Sequence, residues 1–98
     1  MIIKWTKRSL NSYLLIIDYL SEEWTPKEVK AFVTKTEKTI EQIKLNPYIF
    51  QSANKKKTIR KGFIHKLVSL YYRVNFEENE IELLTFWQNR QNPKKLKL

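Results

Sequence analysis

The sequence predicts an α+β fold in which a helical hairpin packs on one face of an antiparallel sheet. Apolar residues recur at three- and four-residue intervals as far as Asn46-Pro47, which is the period of amphipathic helices, and they alternate beyond it, which is the period of strands. Turn-forming residues divide the chain into the order β-α-α-β-β-β. A chain of 98 residues suits one domain, so we expect residues 1–98 to form a single domain.

The first half begins with a strand and a helix. Ile2 to Trp5 is a short apolar run with β-branched residues, typical of a strand, and Thr6 is suited to cap a following helix. That helix carries an apolar stripe, which we expect to face the core, formed by Leu10, Tyr13, Leu14, Ile17, Leu20 and Trp24.

A second helix is predicted between Thr25 and Asn46. Thr25 can cap the free backbone N–H groups, Pro26 suits the first helical position, and Glu28 completes a capping box. Asn46 precedes Pro47, which disfavours helical geometry at Asn46 and ends the helix. The two helices therefore form a hairpin, and part of its surface is a candidate groove for a protein partner.

The second half is predicted to form the rest of the sheet. Residues 57–63 form a basic strand in which Gly62 marks a turn or bulge, 64–75 alternate as one strand, and 77–80 form a hairpin turn. In the final strand, 81–87, alternation groups Ile81, Leu83, Thr85 and Trp87 on one face against Glu82, Leu84 and Phe86. The sheet face away from the helices is expected to carry or adjoin His65, Ser69, Tyr71 and Arg73.

Positive charge is concentrated in the sheet half of the chain. Of the net +9, residues 50–98 contribute +7, from eleven basic and four acidic side chains, and 88–98 form a basic tail. Between Lys55 and Arg73 there is no acidic residue, and seven are basic: Lys55, Lys56, Lys57, Arg60, Lys61, Lys66 and Arg73. This distribution favours a polyanion or an acidic protein as the partner.

Composition also excludes several classes of protein. The chain has no Cys, so it has no disulfide scaffold and no thiolate metal site, and a single His lacks the partners that a metal site needs. The longest apolar run, residues 14–17, is far shorter than a membrane span, and the N-terminus lacks the layout of a signal peptide. We expect a cytoplasmic protein without a cofactor and without membrane association.

Four segments in this order resemble the RelE/ParE superfamily of bacterial type II toxins. They are the strand and helix through Leu10, Leu14, Ile17 and Tyr19-Leu20; the helix end at Ile43 and Asn46-Pro47; the strand 67–74; and the strand 81–87 leading to Arg90-Gln91-Asn92-Pro93. The resemblance covers nearly the whole chain. It implies a growth-inhibiting toxin of a plasmid-stabilisation type of system, neutralised by a cognate acidic antitoxin. The implied target is the ribosome with its mRNA, which RelE-like members cleave, or DNA gyrase, which ParE-like members bind without cleaving nucleic acid.

The resemblance carries over only part of the RelE-like cleavage machinery. Lys57, Arg60 and Lys61 match the basic second strand, and Arg90 matches the arginine after the last strand. The positions of the third-strand arginine and the C-terminal tyrosine hold Ser69 and Leu96. His65 and Tyr71 are candidate substitutes, which would make Arg90, His65 and Tyr71 the catalytic set of a metal-independent mRNA endonuclease. Because two expected groups are missing, a ParE-like, non-cleaving action on gyrase is favoured.

Other interpretations of these residues stay open. His65 is also consistent with an ordinary surface histidine, and Arg73 with a cross-strand pair to Glu82. Lys57, Arg60, Lys61, Lys66 and Arg73 are predicted to attract a nucleic acid or the target through charge. The composition is also consistent with a non-toxic nucleic-acid-binding module or with a toxin homologue that has lost its activity.

Overall fold

A computed structural model describes residues 1–56 and 58–98 of the chain. Its elements follow in the order β1 (Ile2–Trp5), α1 (Lys7–Glu23), α2 (Pro26–Leu45), β2 (Ile59–His65), β3 (Val68–Asn75) and β4 (Glu80–Gln88), with a short 3₁₀ helix at Pro93–Lys95. This order confirms the predicted β-α-α-β-β-β arrangement and the α+β class.

The four strands form one sheet in the order β1-β4-β3-β2. β2, β3 and β4 are antiparallel neighbours, as predicted. β1, however, pairs in parallel with β4, with Ile3 opposite Ile81, so the sheet is mixed rather than antiparallel. A parallel neighbour needs a long crossover connection, and the helical hairpin lies within the connection between β1 and the other strands.

Both helices begin at the predicted caps. Thr6 accepts a hydrogen bond from the backbone N–H of Ser9 at 3.0 Å. At the start of α2 the Thr25 hydroxyl accepts from the N–H of Glu28 at 3.2 Å, and a Glu28 carboxylate oxygen accepts from the N–H of Thr25 at 3.1 Å. The capping box is therefore complete, and α2 ends at Leu45 with Asn46 as its C-cap.

Only part of the predicted apolar stripe of α1 packs against the core. Leu20 is buried, and Tyr13, Ile17 and Trp24 pack against the core cluster. Leu10 and Leu14 are exposed instead, and Ser9 and Ile16, which lie outside the stripe, are buried. The cause is that the start of α1 also forms hydrogen bonds with the edge of β4, beyond the end of β1. There the Thr6 hydroxyl donates to the Leu83 carbonyl at 2.7 Å, and the N–H of Phe86 donates to the Ser12 hydroxyl at 2.9 Å.

The predicted strand at 64–75 is two strands separated by a tight turn at Lys66 and Leu67. The predicted start of the preceding strand, Lys57, lies outside the described residues, and β2 begins at Ile59. Gly62 itself pairs with Leu70 of β3, and the irregularity in β2 comes just after it, where the register shifts between Phe63 and His65. A Cβ atom at Gly62 would lie 3.3 Å from the Leu70 carbonyl and 3.4 Å from the Phe50 ring, so this glycine permits a close approach.

A bulge in β4 changes the faces that alternation predicts. Tyr71 pairs with Thr85 but Tyr72 pairs with Leu83, which leaves Leu84 as the extra residue in β4. Side chains beyond the bulge therefore switch faces. Phe86 is buried in the core with its ring centroid 4.7 Å from that of Tyr13 on α1, and Trp87 lies on the opposite face.

The main core lies between the hairpin and the sheet. Its buried residues are Ile16, Leu20, Phe32, Ile40, Ile43, Ile64, Val68, Leu70, Tyr72, Ile81, Leu83 and Phe86. This cluster covers one side of the sheet only, so the side chains of the opposite face do not belong to the main core.

Candidate functional site

The sheet face turned away from the helices, here named the open face, is the first candidate site. Strand register places two rows across it, which consist of Phe63, Ser69 and Trp87, and of Lys61, Tyr71 and Thr85. Arg73 and Glu82 continue the face towards the end of β3. The prediction that Ser69, Tyr71 and Arg73 share this face agrees with that register.

The centre of the open face is closed to solvent. Ser69 is 2% exposed and Tyr71 is 7% exposed. The Ser69 hydroxyl donates to Oδ1 of Asn89 at 2.7 Å, and Nδ2 of Asn89 donates to the Lys66 carbonyl at 3.1 Å. Ser69, where the superfamily resemblance expects an arginine in cleaving members, therefore ties the segment after β4 to the sheet.

Charged groups lie at the rim of the open face. Lys61 is exposed on β2, and the Arg73 guanidinium lies 3.5 Å from the Glu82 carboxylate, so the expected cross-strand pair forms. Both side chains are partly open to water, and an ion pair of this kind stabilises a fold by at most about 1 kcal/mol. Arg73 can exchange Glu82 for another anion at little cost.

Arg60 does not join this group, although the sequence groups it with Lys61. Its guanidinium donates to the Phe50 carbonyl at 2.7 Å and lies 4.4 Å from the centroid of the Tyr48 ring. Adjacent residues of a strand point to opposite faces, so Arg60 points away from the open face. Lys57, predicted to act with them, lies outside the described residues.

His65 has a structural role in the turn that joins β2 to β3. Its Nδ1 accepts a hydrogen bond from the Leu67 N–H at 3.1 Å, and its ring meets the edge of Trp24 with centroids 5.3 Å apart. Burial, with a smaller contribution from the charge of Lys66, lowers the pKa of His65 below its usual value. The neutral imidazole is therefore favoured, as acceptance at Nδ1 requires, while Lys66 itself is exposed in the turn.

Arg90 follows β4 and packs against α1. Its guanidinium lies 4.4 Å from the centroid of the Tyr19 ring, and its Nε donates to the Gln88 side chain at 3.2 Å. It lines a cavity of about 300 Å³ together with Trp24 and Leu67. Trp24 thus contacts His65 and shares the cavity with Arg90.

The structure does not assemble the three predicted catalytic groups around one point. Arg90 and His65 adjoin Trp24 at the end of α1, whereas Tyr71 is buried on the open face. Among residues 1–56 and 58–98, no cluster of His, Cys, Asp or Glu is suited to a metal ion. The arrangement supports charge-assisted and aromatic contacts with a partner.

Several exposed apolar side chains escaped the sequence prediction. Phe63 on the open face is 56% exposed. It lies two residues from Lys61, so strand alternation places both on the same face and could have predicted this exposure. Tyr48 and Phe76, 54% and 59% exposed, lie in loops that are distant in sequence, where no periodicity relates them. Leu15 of α1 is 68% exposed and borders a groove of about 650 Å³.

The arrangement of two helices on a four-stranded mixed sheet matches the architecture of a RelE/ParE-like toxin. The sequence matches the family described as "ParE toxin of type II toxin-antitoxin system, parDE" over residues 3–93, so the chain belongs to this ParE toxin family. The superfamily resemblance noted from the sequence is confirmed, and the protein is a toxin of the type II toxin–antitoxin class.

Structural comparison agrees on the fold. The chain is similar to one in a structure titled "Chromosomal ParDE TA system from P. aeruginosa", with a TM-score of 0.67 and 19% identity, over 90% of this chain and 95% of that one. At this identity the likeness concerns the fold. Comparison with curated proteins gives no match. Across the described residues, no helix has the length and hydropathy to cross a membrane.

Proposed function

We propose that this toxin arrests bacterial growth in the cytoplasm by binding DNA gyrase, without cleaving nucleic acid, and that a cognate acidic antitoxin neutralises it. The observation that carries the proposal is the separation of the groups that RNA cleavage would need. The family membership supports a ParE-like action, and plasmid stabilisation is the biological role expected from it.

Metal-free RNA cleavage requires a base, an acid and a cation within reach of one phosphate. Here Tyr71 is buried, and Ser69 occupies the position of the expected arginine. His65 already accepts a hydrogen bond at Nδ1, and Arg90 stacks on Tyr19 instead of facing the open face. These four arrangements favour a binding surface over an endonuclease site.

The helical hairpin offers a surface for the antitoxin. Leu10, Leu14 and Leu15 are exposed on α1. Of the three, Leu15 lines a groove between α1 and β4, which is bordered by Lys7 and Arg8. An apolar strip with a basic margin suits an amphipathic acidic segment, whose apolar residues fill the groove while its carboxylates meet the cations.

A supercoiling assay with purified gyrase tests the proposed target. We expect the toxin to inhibit supercoiling, and the variant Lys61→Gln/Arg73→Gln, altered on the rim of the open face, to inhibit less. The control Lys30→Gln/Lys38→Gln removes the same charge from the exposed side of α2. Unchanged supercoiling at toxin excess contradicts the gyrase proposal, and equal loss in both variants shows that only net charge matters.

Two further assays separate the alternatives. Fragmentation of mRNA on translating ribosomes by the purified toxin would establish the RelE-like endonuclease and end the non-cleaving proposal. Expression of the toxin should stop growth, and co-expression of the neighbouring antitoxin gene should restore it. Continued growth on expression would instead favour the non-toxic binding module or an inactive homologue.

A further inference from the structure

Another concave surface lies at the end of the sheet where β2 begins and β3 ends. This surface, here named the Tyr48 groove, has a volume of about 490 Å³, within the range of ligand sites. The lining residues on which its chemistry depends come from the loop after α2, from β2 and β3, and from the β3–β4 turn: Tyr48, Arg60, Arg73, Phe76 and Glu77.

The aromatic pair in this groove is both exposed and held in place. The ring centroids of Tyr48 and Phe76 are 5.7 Å apart with planes inclined by 35°, and more than half of each side chain is open to water. The Arg60 guanidinium covers one side of Tyr48 at 4.4 Å and is itself anchored to the Phe50 carbonyl. The chain thus keeps two large apolar rings in solvent when burial of each would stabilise the fold, which is typical of a binding surface.

The charge of the groove indicates the chemistry of its ligand. Arg60 and Arg73 line it, and Lys55 and Lys56 are exposed in the adjoining loop, against Glu77 as the one acidic residue among the lining positions described. Within residues 1–56 and 58–98, Arg73 is held by its partly exposed pair with Glu82, so a phosphate can replace that carboxylate. Aromatic faces beside cations suit a polyanion that carries flat, stackable groups.

We propose that the Tyr48 groove binds single-stranded nucleic acid, with bases stacking on Tyr48 and Phe76 and phosphates meeting Arg60 and Arg73. A duplex is a poorer ligand because its base faces are already stacked on one another, so only an unpaired strand can use the two rings. This inference does not depend on the gyrase proposal, since the contact involves the toxin and the strand alone.

Fluorescence anisotropy with a labelled single-stranded DNA 12-mer and its duplex form tests the inference on the full chain, without gyrase. Tyr48→Ala and Phe76→Ala should each weaken single-strand binding by about 5- to 150-fold, the usual range for loss of one stacked base. The salt dependence should be unchanged in both, because neither removes a charge. Arg73→Gln should lower the salt slope by about 0.7, as expected for one phosphate contact on a single strand.

Matched controls make the result decisive. Phe63→Ala removes an aromatic ring of the same exposure from the open face and should leave binding unchanged. Tyr48→Trp should retain affinity, which separates stacking from damage to the loop, and circular dichroism melting checks that each variant is folded. Equal weakening by Phe63→Ala, an unaffected Tyr48→Ala/Phe76→Ala variant, or equal affinity for the duplex would overturn the inference. Groove variants that bind the 12-mer normally but fail to inhibit gyrase would identify a protein-binding surface instead.

Discussion

Replacing Tyr72 with Phe removes one oxygen atom from the centre of the molecule and tests how the loop after α2 is held to the sheet. Tyr72 is fully buried, and its hydroxyl donates to the Pro47 carbonyl at 2.7 Å. A neutral hydrogen bond contributes about 1 kcal/mol net, and a fully buried acceptor left without its donor costs about 1–3 kcal/mol. The Pro47 carbonyl belongs to a half-buried residue, so the lower part of that range applies. We therefore expect Tyr72→Phe to lower the free energy of unfolding by about 1–2 kcal/mol.

Urea unfolding followed by circular dichroism measures this change, and the melting temperature should fall by about 4–8 °C per kcal/mol for a chain of this size. Tyr71→Phe is the matched control, because its hydroxyl makes no hydrogen bond within residues 1–56 and 58–98. Similar losses in both variants, or a change in the slope with urea instead of the midpoint, would refute the assignment to one bond.

The same hydroxyl predicts a dependence on alkaline pH. Burial raises the pKa of Tyr72 to about 12 from 10.0, because the buried site disfavours the phenolate. The folded state thus favours the neutral form, so this contribution to stability is complete below pH 10 and is lost as the pH rises towards 12. Tyr72→Phe should lack that loss.

Three further predictions concern other sites. Thr25→Ala removes the capping box with Glu28 and should cost about 1 kcal/mol in urea unfolding, whereas an unchanged midpoint would show that packing alone starts α2. The lowered pKa of His65 means that the unfolded state binds a proton more readily than the folded state, so the free energy of unfolding should fall as the pH drops from 7 through 6.5. His65→Gln should reduce this pH dependence. An NMR titration that gave a raised pKa for His65 would contradict the prediction. Leu14→Gln/Leu15→Gln changes two exposed side chains, so thermal stability should hold within about 1 kcal/mol while calorimetric affinity for the antitoxin falls; unchanged affinity would place the antitoxin elsewhere.

Local chemistry explains why the helices were predictable. As caps, Thr6 and Thr25 accept hydrogen bonds from backbone N–H groups three residues away, so their capping roles can be predicted from the neighbouring sequence. Alternation predicted the faces of β4 correctly only as far as Leu83. The bulge at Leu84 arises from the pairing of β4 with β3, and the sequence of β4 alone carries no signal of that pairing. Likewise, the apolar stripe on α1 did not predict the hydrogen bond between the Ser12 hydroxyl and the backbone N–H of Phe86 in β4.

The sequence by itself determined the element order, the caps, the superfamily and the concentration of charge in residues 50–98, because each depends on composition or on contacts between near neighbours. Only the tertiary structure decided where single side chains go. It separated Arg60 from Lys61, buried Tyr71, placed Arg90 on Tyr19, and brought Tyr48 beside Phe76 from a loop 28 residues away. Such contacts depend on strand register and packing, which bring together residues far apart in the chain and therefore leave no local pattern in the sequence.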